Sequence, residues 1–381
     1  MDNYILIYMN EFMLFIFLLF SGAVLSLVYT SRVFNSSLKT LFEIGRTNLK
    51  GFSSVSIIEV IKDTMTDIAQ CDALAIYTLN QQEDGYDTYT NYNLTEDFHI
   101  RLIKQNNGFL SNIINRGRVN VLTSFPVVLK DYGFETCICV PLIFKDESVG
   151  LALLLSRHKR EYEQREIQYI EGISRQLVRV MNNIQNLEGD ISIESIFKFI
   201  KTIELNDPYN VSHSLQVAEL AFELGRHFDL SEEELRLIKF AGLLHDVGKV
   251  AIPEQILNKP GALDDYEWKI MKKHPEKSAA IIREIEYFKD ALSCILHHHE
   301  KWDGTGYPGG LKGKEIPFFS RILAVCDTYS AMVSDRPYRK ARADKEARAE
   351  IEKFKGKQFD PEVVNIFLKL TDDFLRGVID K

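Results

Sequence analysis

The spacing of hydrophobic positions changes several times along the chain, and the changes divide it. Phe12 to Ser31, FMLFIFLLFSGAVLSLVYTS, is uncharged throughout. At ~1.5 Å per residue such a run spans ~30 Å, the thickness of a bilayer's hydrocarbon core, and it predicts one transmembrane helix. Helical spacing follows at Leu38, Leu41, Phe42 and Leu49, then from Ile57 to Ile68. Strand-like runs come next over 72–80, 86–93, 118–122, 136–144 and 149–156, the last two joined by the turn KDES. Helix, strands, a variable middle and a closing hairpin predict an α+β sheet domain. Beyond it Ile170, Ile173, Leu177, Val180, Ile184 and Leu187 alternate spacings of three and four. That is the seam of a two-stranded coiled coil, and equally the stripe of one helix lying on its own domain. From Ile191 strand signals vanish and amphipathic helices dominate, predicting an all-α domain. The expected fold class is multidomain, with segments at residues 1–34 (transmembrane), 35–163 (sheet domain), 164–190 (linker helix) and 191–381 (all-α).

Charge orients the first segment. Only Asp2 and Glu11 precede the apolar run, whereas Arg32, Lys39, Arg46 and Lys50 follow it. The positive-inside bias then predicts a single-pass protein of the inner (cytoplasmic) membrane, with everything after Arg32 in the cytoplasm. The absence of a basic leader argues against a cleaved signal peptide. A net charge of −8 gives no bulk attraction to nucleic-acid polymers, so an anionic substrate has to be captured by local groups. The five cysteines are odd in number and scattered, and Cys137-Ile-Cys139 lacks C-x-x-C spacing, so all five are expected as reduced thiols.

Chemistry concentrates in the last segment. Seven of the nine histidines lie at or after His213. His213, the His245-Asp246 pair, His274, the His298-His299 pair and Asp327 come from separated helices, as a cluster of divalent cations requires. Neighbouring residues on a helix point about 100° apart, so a His-Asp pair serves one cluster best where its helix ends, and Gly248 supplies an ending. A carboxylate beside an imidazole can bridge two cations, and two cations ~3.5–4 Å apart clamp the attacking and leaving oxygens of a phosphoryl group. A His/Asp shell without thiolate suits iron, manganese or zinc, the first two best.

Two family resemblances carry these patterns further. Residues 37–187, with CICVPLIFKDESVGLALLLSR as the most specific element, resemble a GAF sensor domain. No ligand-defining motif is visible there: His99 and His158 are isolated and read as surface histidines rather than haem ligands. The stretch from Asp207 to Arg339 resembles an HD-GYP domain, a subgroup of HD phosphohydrolases that cleaves cyclic di-GMP. Its marks are DPYNVSHS, LLHDVGKVAIPEQILNKPG, His274-Pro275, His298-His299-Glu300, WDGTGYP, GLKGKEIP, Cys326-Asp327 and SDRPYR.

The resemblance implies His213, His245, Asp246 and Asp327 as ligands of a first metal, with Asp246 bridging to a second held by His274, His298 and His299. It implies a catalytic role for Asp246 and Lys249, with Lys249 at the scissile phosphate. Tyr307 of Gly306-Tyr307-Pro308 would line the substrate groove, while Arg336 and Arg339 meet phosphates or guanine edges. Asp303 is expected to stabilise the loop, and His297 to neighbour the ligands without being one. Tyr209 stands where members with a third metal carry an acid, which favours two metals unless Glu204 or Asp207 substitutes. Ser278 replaces a glycine, and Ser330 replaces an aspartate whose loss would remove a partner that orients a ligand. The implied function is a sensor-regulated, membrane-anchored phosphodiesterase that opens cyclic di-GMP to pGpG and then GMP, using two divalent metals, iron or manganese, and working as a homodimer through 164–190. A weakly active cyclic-dinucleotide receptor that recruits a protein partner is the alternative, and a different cyclic dinucleotide a third.

Overall fold

The computed structural model describes residues 54–80, 85–123, 126–185, 213–283, 289–334 and 340–379. The first described helix, α1 (Ser54–Ala69), leads into β1 (Ala73–Asn80) and β2 (Gly85–Tyr92). Then come α2 (Glu96–Arg116), β3 (Asn120–Leu122), α3 (Val127–Asp131), β4 (Thr136–Phe144), β5 (Glu147–Ser156) and α4 (Gln164–Gln185). The strands form one sheet in the order β2-β1-β5-β4-β3, with every neighbouring pair antiparallel.

Strand alternation sends successive side chains to opposite faces, and here both faces are buried. Leu74, Ile76, Ile138, Val140, Leu142, Ala152 and Leu154 pack under α1 and α4. Ala73, Ala75, Tyr77, Cys137, Cys139, Leu151, Leu153 and Leu155 pack under α2 and α3. The variable middle is therefore mostly helix. Thr95 caps α2, its hydroxyl accepting from the Phe98 amide, and Gly117 ends it at φ 59°, where a side chain would be strained. His99 on α2 is buried, not at the surface: its Nδ1 lies 2.8 Å from the Tyr77 hydroxyl.

The remaining described elements are helices joined by loops. They comprise α5 (His213–Gly225), α6 (Glu232–Leu244), a 3-10 turn at Val247–Ala251, α7 (Glu254–Leu257), α8 (Asp265–Met271), α9 (His274–Ile282) and α10 (Lys289–Leu296). A 3-10 turn at Gly313–Glu315 precedes α11 (Phe318–Val333), α12 (Asp344–Lys353), α13 (Pro361–Phe367) and α14 (Asp372–Ile379). Ser231 and Glu234 form a capping box at the start of α6, as Asp264 and Glu267 do at α8.

Two expectations are corrected. Among the described residues no helix is long and apolar enough to cross a membrane, so the described fold is an α+β sheet domain plus an all-helical domain, and the single-pass inner-membrane assignment is not supported. Residues 12–31, on which that expectation rested, lie outside the described residues. The dimeric coil is not supported either. Ile170, Ile173, Leu177 and Val180 are all buried within this one chain, so the stripe is consumed by packing on α1, β4 and the helical half. Its continuation at Leu187 is outside the described residues.

This packing joins the halves. One continuous hydrophobic core runs from Ile57 and Ile61 on α1 through Ile173 and Leu177 on α4 to Val250, Ile252 and Ile281 beside the helical site. Polar contacts fix the register. Gln176 donates to the Ile252 carbonyl at 2.8 Å, the Tyr169 hydroxyl to Glu267 at 2.9 Å, and Lys273 pairs with Asp67 at 2.8 Å. The buried Lys277 ammonium donates to Thr64 Oγ1 at 2.5 Å.

Candidate metal centre

Helix ends bring the histidines together. His245 is the C-cap of α6, and Asp246 follows outside helical geometry at φ −103°, ψ 4°. The chain then turns through Gly248. A Cβ there would lie 2.3 Å from the His274 carbonyl oxygen and 2.4 Å from the Ser278 amide nitrogen, so the glycine is required for close approach to α9 rather than to end a helix. His274 starts α9, His298 and His299 follow the end of α10, Asp327 lies within α11, and His213 opens α5. All seven sequence-predicted ligands meet in one place. Donor atoms of His213, His245 and Asp327 lie within 4.8 Å of one another, as do those of His274, His298 and His299. A third such set, His245, Asp246 and His298, overlaps both.

Orientation is set from behind the rings. His245, His274 and His298 each donate from Nδ1 to the carbonyl three residues earlier, of Gly242, Met271 and Ile295, at 2.8, 2.8 and 2.6 Å. With the proton on Nδ1, Nε2 of a neutral ring carries a lone pair. The Nε2 atoms converge on carboxylate oxygens. His245 Nε2 is 3.3 Å from Asp246 Oδ2, His274 Nε2 is 3.2 Å from Asp246 Oδ1, and His213 Nε2 is 3.1 Å from Asp327 Oδ1. His274 and His299 face each other through Nε2 atoms at 3.2 Å. Yet His245 Nε2, Asp246 Oδ1 and His298 Nε2 are buried without an aligned hydrogen bond.

Electron-rich atoms held this close repel unless a proton or cation lies among them, and buried polar atoms are otherwise satisfied. With ligand bonds of ~2.0–2.2 Å, donor atoms sharing a cation lie ~3.0–3.5 Å apart. The donor set fits a His/Asp-bound cation, and Asp246 offers one oxygen to each side of the cluster.

The electrostatics agree. Burial would raise Asp246 and Asp327, but His245 and Lys249 hold Asp246, and His213 holds Asp327, well below the usual carboxylate range. Burial and then the neighbouring imidazoles drive His298 far down and His299 to about 3, which keeps both rings neutral. Burial pulls His245 down as well, but Asp246 overrides it and raises the ring to about 9, a proton there doing part of a cation's work.

Around the cluster, Lys249 donates to Asp246 Oδ2 at 2.5 Å from a half-buried position. The Tyr307 ring lies 5.0 Å from that of His299, and the Lys272 ammonium lies 5.6 Å from its centroid. Burial, then Asp246, pushes the Tyr307 phenol upward, so it stays protonated. Its loop is pinned by Glu300, whose carboxylate accepts from the Gly309 and Leu311 amides at 2.6 and 3.1 Å. A Cβ on Gly306 would sit 2.3 Å from the Lys301 amide nitrogen. Asp303 accepts from both Thr305 donors and so braces the loop's start, while His297 faces Glu300 at 3.4 Å, outside all three donor sets. Arg336, Arg339, Tyr209, Glu204 and Asp207 lie outside the described residues.

Sequence reasoning missed Glu300 as a loop anchor, and it missed what Ser278 does. The Ser278 hydroxyl donates to the His245 carbonyl at 2.7 Å and accepts from Gly248 at 2.8 Å, tying the His-Asp turn to α9.

Residues 198–363 match the HD domain family and residues 55–181 the GAF domain family. The chain is 34% identical over 252 residues to the 3'3'-cGAMP-specific phosphodiesterase 2 of Vibrio cholerae, covering 65% of this chain and 47% of that protein. It is 40% identical over 178 residues to a cyclic di-GMP phosphodiesterase of Pseudomonas aeruginosa, covering 46% and 43%. Against a cyclic di-GMP phosphodiesterase of Thermotoga maritima it is 42% identical over 169 residues, covering 44% and 46%. The chain thus spans about half the length of the curated relatives it matches.

Proposed function

We propose, from the premise that the chain carries a GAF domain followed by an HD domain, that it is a metal-dependent phosphodiesterase opening a cyclic dinucleotide. Cyclic di-GMP, converted to pGpG, is the substrate we favour. The observation that carries this reading is the convergence of five imidazoles on ionised Asp246 and Asp327 in one buried site.

In this reading His213, His245, Asp246 and Asp327 would hold a first divalent cation. His274, His298, His299 and Asp246 would hold a second, with iron or manganese suited to such a shell. Bound cations activate water at neutral pH and offset charge developing on the phosphoryl oxygens. The protein's own groups do the rest. Carbonyls behind the rings keep each proton on Nδ1, so the imidazoles need no reorientation. Lys249, paired with Asp246 at the edge of the site, donates to a non-bridging phosphate oxygen or to the leaving oxygen. Tyr307, held beside His299 by the Glu300-anchored loop, offers a ring face to a base. Arg336 and Arg339 are assigned to phosphates or guanine edges by resemblance alone.

Regulation is part of the proposal. α1 and α4 of the GAF half rest on α9 and on the 3-10 turn next to Asp246, so a change in their packing is felt where His274 and Asp246 sit.

The test is turnover by the purified full chain loaded with Mn²⁺ or Fe²⁺, because the shared core makes a cut near residue 191 a poor reporter. Release of pGpG from cyclic di-GMP is expected. Three relatives in Vibrio cholerae carry names specific for 3'3'-cGAMP, so that dinucleotide is assayed in parallel, and faster cleavage of it would reassign the substrate. Tight nucleotide binding without product from either would replace the enzyme by a receptor.

A further inference from the structure

His213 differs from the other oriented ligands. Three histidines hand their Nδ1 proton to a backbone carbonyl, which any sequence supplies. His213 Nδ1 instead faces a side chain, the hydroxyl of Ser330, at 2.9 Å. Ser330 Oγ lies 2.8 Å from Gln216 Oε1, which the Ser334 hydroxyl also approaches at 3.2 Å. His213, Gln216 and Ser330 are all buried. An amide oxygen only accepts, so the single hydroxyl proton of Ser330 goes to Gln216. Ser330 Oγ is then left with lone pairs toward His213, whose Nδ1 must be the donor.

The arrangement is reciprocal. Gln216 is three residues after His213 on α5, and Ser330 three residues after Asp327 on α11. Each helix therefore supplies one donor to the cluster and, one turn on, one member of the Ser330–Gln216 pair that stands behind His213.

Resting on the two-cation reading above, we propose that Ser330 and Gln216 form a hydroxyl–amide relay that holds the His213 proton on Nδ1 and its lone pair on Nε2. The relay thereby sets the affinity of the His213, His245 and Asp327 group for its cation. Ser330 and Gln216 are positioning residues: neither belongs to a donor set, and both act through the imidazole. The serine is a working substitute for a carboxylate partner rather than a deficit.

The experiment uses the full chain, labelled with ¹⁵N-histidine, and Zn²⁺ as a diamagnetic probe. Two binding steps are resolved by competition with a chelator, and histidine ring signals identify the protonated nitrogen. In the wild type, His213 should keep a proton on Nδ1 in the loaded state. Ser330→Ala and Gln216→Leu should each weaken one of the two steps by roughly 10- to 100-fold and leave the other unchanged, the usual range for partners behind a metal ligand. Ser330→Thr, which keeps the hydroxyl, should restore that step, which a purely structural role of the serine would not produce.

Variants that fold and titrate like the wild type would overturn the relay while leaving the two-cation reading intact. A wild-type chain that takes up no cation overturns both. If the variants do not fold, the wild-type spectrum decides: a His213 Nδ1 without a proton refutes the relay, and a protonated one supports it.

Discussion

Both halves of the molecule bury a cluster of titratable side chains, and the two are built on opposite plans. In the sheet half, Tyr77 meets His99, and Cys137 and Cys139 stand 3.5 Å apart between their sulfurs on the same face. Burial pushes the tyrosine up and the histidine down, so each keeps its neutral form. Cys137 is held protonated first by its contact with Cys139 and then by burial. In the helical half the carboxylates stay ionised despite burial, and the imidazole Nε2 atoms converge on them. Depth below the surface is common to both. What separates them is whether the buried groups are neutral. A cluster of neutral groups is packing, and one that keeps its carboxylates ionised attracts positive charge.

The sharpest way to break this contrast is Asp246→Ala. Loss of the carboxylate that lies between the two donor sets should lower turnover by roughly 10³-fold or more, several kcal/mol of charge stabilisation at 1.36 kcal/mol per decade, with a matching fall in bound metal measured by elemental analysis. Unchanged metal content and turnover would leave the helical cluster no different in kind from the other one.

The complementary change is His99→Leu. It strands the buried Tyr77 hydroxyl, at a cost of about 1–3 kcal/mol seen as a lower urea midpoint, while metal content stays at the wild-type level. A drop in metal content would mean that the two clusters are not independent.

Between them lies Lys277, and its effect is smaller. Burial is the main cause that takes its ammonium from the usual 10.5 to about 8, against the pull of Asp67, Asp63 and Glu276 and with the push of Lys273. The unfolded chain therefore binds more protons between those values, so stability should rise as pH climbs from about 8 to about 10.5. Below pH 8 the penalty is fully present. Lys277→Met should flatten that rise and, after forfeiting the bond to Thr64, gain about 1 kcal/mol near pH 7 in denaturant titrations. A pH–stability curve identical to wild type would show that the ammonium is not the titrating group.

How legible was this molecule in its sequence? Strand alternation located β4 to the residue and β1 to within one, because both faces of the sheet demand apolar side chains at fixed period. The helix at 96–116 was not recognised. Its buried Phe98, Leu102, Leu110 and Ile113 are diluted by KQNNG in the middle, which reads as loop. The heptad stripe of α4 was visible, but a stripe does not say what covers it, and here the same chain does. The histidines and aspartates were readable because few other roles use those types in that order. Glu300, Gln216 and Ser278 were not, since such residues are ordinary at surfaces and acquire a role only when a distant backbone or ring comes within 3 Å. In the sequence Ser330 reads as a lost partner. A hydroxyl with an amide behind it occupies that place instead.

The core that threads α1 and α4 into the helical half constrains how such a protein can be rewired. A different domain grafted in front of the helical one would have to arrive with side chains already shaped to seat against Val250, Ile252 and Ile281. Exchange of whole modules by recombination is then a poor route to a new input. Gradual change inside the existing sheet domain, with its docking helices left alone, is the open one.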